Sequence, residues 1–119
     1  GHDTGDIVLQ SIARTVLSCM RKTDAVVRYG GDEFVIVFYN IPADVFEKKL
    51  EKIRYSIDSL IINGPPELHM SVSIGGAYGI GTAKKLFKVA DDMMYQSKNT
   101  KNKVTICFLN EKSGSKDNI

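Results

Sequence analysis

The sequence has no tryptophan, two cysteines and three prolines, and no apolar run near the ~20 residues a membrane-spanning helix needs. Cys19 and Cys107 have no metal-ligand spacing and form no disulfide framework; both read as small buried hydrophobes in a reducing cytoplasm. The opening residues do not read as a signal peptide. Charge of one sign is also missing. Sixteen Lys plus Arg stand against 14 Asp plus Glu, a net +2, so nothing electrostatic points to nucleic acid or a membrane surface. What is present is ordinary for a globular chain, 43% hydrophobic and 25% charged over 119 residues. That length makes one small domain burying roughly 65% of its unfolded surface.

Hydrophobic spacing orders the chain. Ile7, Leu9, Ile12, Ala13, Val16, Leu17 and Met20 recur at helical period, with Asp3 as the expected cap and Asp6 in the positive first turn. Ala25–Tyr29 and Glu33–Tyr39 are strand-formers separated by Gly30-Gly31-Asp32, a hairpin signal. The run Phe34-Val35-Ile36-Val37-Phe38 predicts a strand covered on both faces, in a central sheet flanked by helices. After Asn40-Ile41-Pro42, the stripe Phe46, Leu50, Ile53, Ile57 and Leu60 predicts a long helix, broken at Asn63-Gly64-Pro65-Pro66. Alternation over Leu68–Ile74 predicts a half-buried strand. Thr82 is expected to cap a last helix that buries Leu86, Val89, Ala90 and Met93, and a short strand, Val104–Phe108, follows. The order is helix, hairpin, helix, strand, helix, strand: an α+β domain over 1–108 with a mobile polar tail over 109–119. A sheet that opens on a helix is expected to lack its first strand, as in an N-terminally truncated domain.

One constellation carries chemistry. Arg28-Tyr29-Gly30-Gly31-Asp32-Glu33-Phe34 sets two glycines and two adjacent carboxylates between apolar strands. The glycines let a bulky ligand approach the backbone. The carboxylates offer hard oxygens to Mg²⁺, which commonly binds through one or two of them plus substrate phosphates. A Gly-Gly-Asp turn alone is weak, since most such turns are only turns.

Gly30-Gly31-Asp32-Glu33-Phe34 resembles the GGDEF signature of diguanylate cyclases. Gly1-His2-Asp3-Thr4-Gly5-Asp6-Ile7-Val8-Leu9 is similar to the family's GHxxGDxxL segment, Ser71-Val72-Ser73-Ile74-Gly75 to its (S/T)xSIG strand, and Ala90–Lys98 to its ADxxxYxxK helix. These matches run in order over about residues 1–104. The resemblance implies a palm-like, nucleotide-cyclase-type α+β fold with a five-stranded central sheet, its first strand and helix outside this chain. It implies an enzyme that condenses two GTP into cyclic di-GMP with release of two pyrophosphates, across a homodimer of domains, with Mg²⁺ (or Mn²⁺) as cofactor. It also implies a cytoplasmic site of action, with no nucleic-acid partner and no membrane contact by this domain.

Roles carry over position by position. Asp32 matches a metal-binding carboxylate and Glu33 the second acidic position required for activity; a satisfied turn carboxylate and an exposed strand start are the plain alternatives. Gly30 and Gly31 match the close approach to the triphosphate. Asp6 falls where the family reads the guanine edge, and it also complements the helix dipole. Lys98 matches a phosphate-binding lysine that equally favours a helix C-terminus. Where the family continues with Gly-Arg-Asn, this chain has Asn99-Thr100-Lys101-Asn102, so Lys101 at best replaces a phosphate-contacting arginine with a point charge. Arg21-Lys22-Thr23-Asp24 matches an inhibitory RxxD site for product, with Arg21 on phosphate and Asp24 on the guanine edge, and an assisting arginine replaced by Lys52. The family's other metal-ligating Asp and its guanine-contacting Asn are not among these residues. Catalysis is therefore expected to fail in this chain alone.

Two readings compete with the cyclase. A non-catalytic module that binds cyclic di-GMP or GTP is favoured by the altered segment at 98–103. An RNA-binding sheet is disfavoured by Asp32 and Glu33, where phosphates would pass.

Overall fold

A computed structural model describes residues 2–30, 33–60 and 71–109, with side chains at 6–27, 33–60 and 71–109. Its elements follow the expected order and divide into two compact units, 1–70 and 71–119.

The first unit holds α1 (His2–Ser18), β1 (Ala25–Gly30), β2 (Glu33–Val37) and α2 (Ala43–Asp58). The α2 stripe is as the spacing predicts: Phe46, Leu50, Ile53 and Ile57 are buried, joined in the core by Val16, Cys19 and Ile41. Leu60 lies past the helix and is half-buried. Pro42 is the N-cap and offers no side-chain acceptor, leaving Asp44 to complement the first turn. Phe38 meets Phe46 edge to face at 5.7 Å. Where α1 ends, Lys49 Nζ donates to the Cys19 carbonyl at 2.7 Å, satisfying a group that the helix terminus leaves open.

β1 and β2 pair antiparallel, Val26 opposite Ile36 and Arg28 opposite Phe34. The register then shifts so that Gly30 faces Glu33, placing an extra residue, Tyr29, on β1. Such a bulge bends the strand and raises its local twist just before the Gly-Gly-Asp sequence.

The second unit holds β3 (Ile74–Tyr78), α3 (Ala83–Thr100) and β4 (Val104–Phe108). β3 and β4 pair in parallel, from Ile74 with Val104 to Tyr78 with Phe108, and α3 is their crossover. Thr82 caps α3 as expected, its Oγ1 accepting from the Lys85 N–H at 3.1 Å. A Cβ at Gly75 would lie 2.0 Å from the Met94 amide nitrogen and 2.3 Å from the Ala90 carbonyl oxygen, so only glycine lets α3 lie this close. Ser97 is wholly buried; it donates to the Ile74 carbonyl at 2.9 Å and shares a 2.6 Å bond with Thr105 Oγ1. Having one proton, Ser97 must accept in the second bond.

Several expectations are corrected. The strand placed over 68–74 is β3 at 74–78, because pairing with β4 begins at Ile74; Ser71–Ser73 are not in strand, and 68–70 lie outside the described residues. The helices flank open sheets as expected, and among the described residues the strands pair as two sheets of two. β2 is half-buried with Val37 exposed, not covered on both faces. α1 already includes Asp3, which therefore is not its cap, and Ile7 and Leu17 are exposed. Cys107 is half-buried. Leu109 is not tail: its N–H donates to the Tyr78 carbonyl at 2.7 Å, extending the β3–β4 ladder by one bond. Residues 110–119 lie outside the described residues.

Candidate functional site

The bulged hairpin organises the first unit's candidate site. Gly30 ends β1 and Glu33 opens β2 directly opposite; Gly31 and Asp32, between them, lie outside the described residues. Glu33 and Phe34, being consecutive in a strand, project to opposite faces. On the Phe34 side, α1 and β2 enclose a shallow cavity of about 170 Å³ lined by Asp6, Leu9, Gln10, Ala13 and Phe34. Asp6 thus reaches the same corner as the hairpin through Phe34, although 28 positions separate the two in sequence. The cavity has apolar walls and two polar heads.

Arg21 and Asp24 take each other. Arg21 Nη2 donates to Asp24 Oδ1 at 2.7 Å, and Nε donates to Oδ1 at 3.0 Å and Oδ2 at 3.2 Å. The Arg21 backbone N–H adds a bond to Oδ2 at 2.8 Å, and Nη2 also donates to the Tyr39 carbonyl at 2.8 Å. The Asp24 side chain has no exposed surface and that of Arg21 is 38% exposed. The hydrogen bonds from Arg21 hold the Asp24 carboxyl below its ordinary value, and the hydrogen bond to Asp24 in turn raises the Arg21 guanidinium. This clasp ties the turn after α1 to the segment that follows β2. Lys52 is exposed on α2.

Lys98 and Lys101 belong to the second unit. Lys98 stands exposed in the last turn of α3, and Lys101 is its C-cap, its N–H donating to the Ser97 carbonyl at 2.7 Å. Lys101 has φ 66° and ψ 152°, and Asn102 follows at φ 47°. Lys101, which the resemblance sets at best in the place of a phosphate-contacting arginine, thus bears a backbone conformation that disfavours side chains.

Among the described residues no group of three or more His, Cys, Asp or Glu could hold a metal. The donors at hand, Glu33 with Asp32 beside it in sequence, are carboxylates, the type that suits Mg²⁺ when substrate phosphates complete the shell. No helix among the described residues is long and apolar enough to cross a membrane. Sequence reasoning missed Gln10, Lys49 and Ser97. Only Gln10 had a signal, one helical turn beyond Asp6; the others are set by contacts distant in sequence.

The fold and this corner define the class: a small α+β domain of open sheets flanked by helices, with a Gly-Gly-acid sequence where β1 gives way to β2. The chain belongs to the GGDEF family, whose model, described as the diguanylate cyclase GGDEF domain, matches residues 1–104. Over 99 residues it is 40% identical to diguanylate cyclase DgcM of Escherichia coli, covering 83% of this chain and 24% of that protein. Over 112 residues it is 36% identical to diguanylate cyclase A of Treponema denticola, covering 89% and 30%. It therefore spans about a quarter to a third of these relatives. Among solved structures it resembles the coiled coil and GGDEF domain of DgcB from Caulobacter crescentus in complex with c-di-GMP: TM-score 0.83, 28% identity, 90% of this chain and 60% of that one. Diguanylate cyclase SiaD of Pseudomonas aeruginosa, solved with its activator SiaC, matches at TM-score 0.81 and 31% identity, over 90% and 43%.

Proposed function

We propose that this chain is the nucleotide-binding part of a diguanylate cyclase, and that it binds GTP at the hairpin corner. The observation that carries the reading is the cavity shared by Asp6 and Phe34, because it joins a carboxylate on α1 to the strand that begins with Glu33. Asp6 accepts from the N–H donors of the guanine edge, Gly30 and Gly31 admit the triphosphate, and Asp32 would hold Mg²⁺ (or Mn²⁺) against it, with Glu33, on the opposite face of β2 from Phe34, as the second acidic position that activity requires. Bound there, the ion supplies charge neutralisation for phosphoryl transfer. Lys98 and Lys101 contribute positive charge toward phosphate. In the assembled enzyme each GTP's 3′-hydroxyl attacks the other's α-phosphate. A phosphodiester bond forms, the α–β anhydride breaks, and pyrophosphate leaves carrying the electron pair while the hydroxyl proton passes to solvent or a base. Two domains must face each other for this to happen twice. Because the resemblance calls for a further Asp ligand and a guanine-contacting Asn that these 119 residues do not include, the chain alone binds nucleotide without turning it over.

A second reading is a cyclic di-GMP-binding module, with Arg21 and Asp24 as its site. In it the product's phosphate and guanine replace the bonds the pair now makes internally. Calorimetry separates the two. With Mg²⁺ present, GTP binding that Asp32→Asn abolishes supports the cyclase site. Cyclic di-GMP binding lost in Arg21→Ala, with no GTP binding at all, replaces it with the module.

A further inference from the structure

Asp6 and Gln10 are one helical turn apart on α1, so their Cβ atoms stand about 5–6 Å apart on one face of the helix. Ala13 continues that face and Leu9 flanks it; together with Phe34 they wall the cavity that both polar heads enter. Neither the Asp6 carboxylate nor the Gln10 amide makes a hydrogen bond or ion pair with another described residue, and Gln10 is exposed. A carboxylate can only accept, whereas a glutamine amide can also donate. Along one rim, then, a pure acceptor and a donor stand side by side above apolar walls. Guanine presents the complement on one edge: N–H donors at the ring nitrogen and exocyclic amine, then an acceptor, O6. Adenine would set an unprotonated ring nitrogen against Asp6, an acceptor against an acceptor.

We propose that Gln10 is a specificity-determining residue of the nucleotide site, donating from its amide to guanine O6 while Asp6 accepts from the adjacent N–H groups. The proposal rests on the reading of this corner as a GTP site. Ala13 serves it passively, since a larger side chain there would fill the space the base takes.

The test is calorimetric titration of the 119-residue chain with GTP, ATP and 6-thioguanosine triphosphate in the presence of Mg²⁺. The variants are Gln10→Ala, Gln10→Glu and Gln10→Lys, all at an exposed helix position that tolerates them, with helix content checked by circular dichroism. Gln10→Ala should weaken GTP about tenfold, the loss of one well-made hydrogen bond. Gln10→Glu should weaken it further by setting a carboxylate against O6, and Gln10→Lys, which keeps a donor, should retain affinity. The thio analogue, a poorer acceptor at that position, should bind more weakly than GTP to the unaltered chain but equally to Gln10→Ala. If the unaltered chain binds GTP and Asp6→Asn weakens it while the three Gln10 variants match one another, the assignment of Gln10 is wrong and the GTP site stands. If the unaltered chain binds no GTP, the site reading fails and Gln10 falls with it.

Discussion

The two units are held together by different means. In the first, the described core is apolar and centred on α2: Phe46, Leu50, Ile53 and Ile57, with Val16, Cys19 and Ile41. In the second, the described residues bury no large hydrophobic side chain at all; the buried side chain is Ser97, and β3 meets α3 through Gly75. A core built on area tolerates imperfect shape, because its stabilisation scales with the surface removed from water. A core built on close approach and hydroxyl bonds does not, because an added atom or a lost partner has no slack to absorb it. The hairpin that carries the acidic pair grows from the first kind. The lysines proposed to meet phosphate sit at the end of the helix held by the second.

That contrast can be broken most sharply at Gly75. Gly75→Ala should cost more than about 4 kcal/mol, since its methyl would meet backbone of α3. Urea unfolding should show 71–109 melting while the first unit keeps its helix signal, and a change under about 1 kcal/mol would refute the close-approach account. Ile57→Ala, in the apolar core, should cost about 3 kcal/mol, with the first unit losing protection in hydrogen exchange. Ser97→Ala should cost about 2 kcal/mol, because Thr105 loses its buried partner; Ser97→Thr overfills the site and should not restore it. Asp24→Asn should act mainly on the pH dependence. With the native carboxyl depressed, its contribution is present above the unfolded carboxyl value near ~4 and is lost as pH falls through the lower folded value. Melting between neutral pH and about pH 2 should therefore fall less steeply in the variant. Lys101→Gly is the smallest change and the one with opposite sign, a gain of about 1 kcal/mol from relief at φ 66°. A simultaneous drop in GTP affinity would show that the lysine charge also serves the ligand.

Element order, the hairpin, the α2 stripe and the Thr82 cap were all legible in the sequence, because each is a local pattern: a period, a turn residue, a cap. Asp6 stands out through motif spacing, and the structure places it on α1 in one cavity with Phe34. The start of β3 was not, since alternation over Leu68–Ile74 suits a strand that only a partner can position, and the partner is 30 residues on, at Val104. Nor was the fate of Arg21 and Asp24: as a tetrapeptide it offers both charges outward, and only the folded turn, with the Tyr39 carbonyl alongside, closes them on each other.

Chain chemistry by itself determined which segments are helix or strand and which residues bring acid, base and glycine to the domain, because those properties depend on neighbours a few positions away. Tertiary structure alone decided that β3 and β4 run parallel, that Ser97 is buried, and that Gln10 shares a cavity with Asp6 and Phe34. The physical reason is range: hydrogen-bond pairing, close packing and cavity shape depend on which distant segments meet, and no local pattern encodes the meeting.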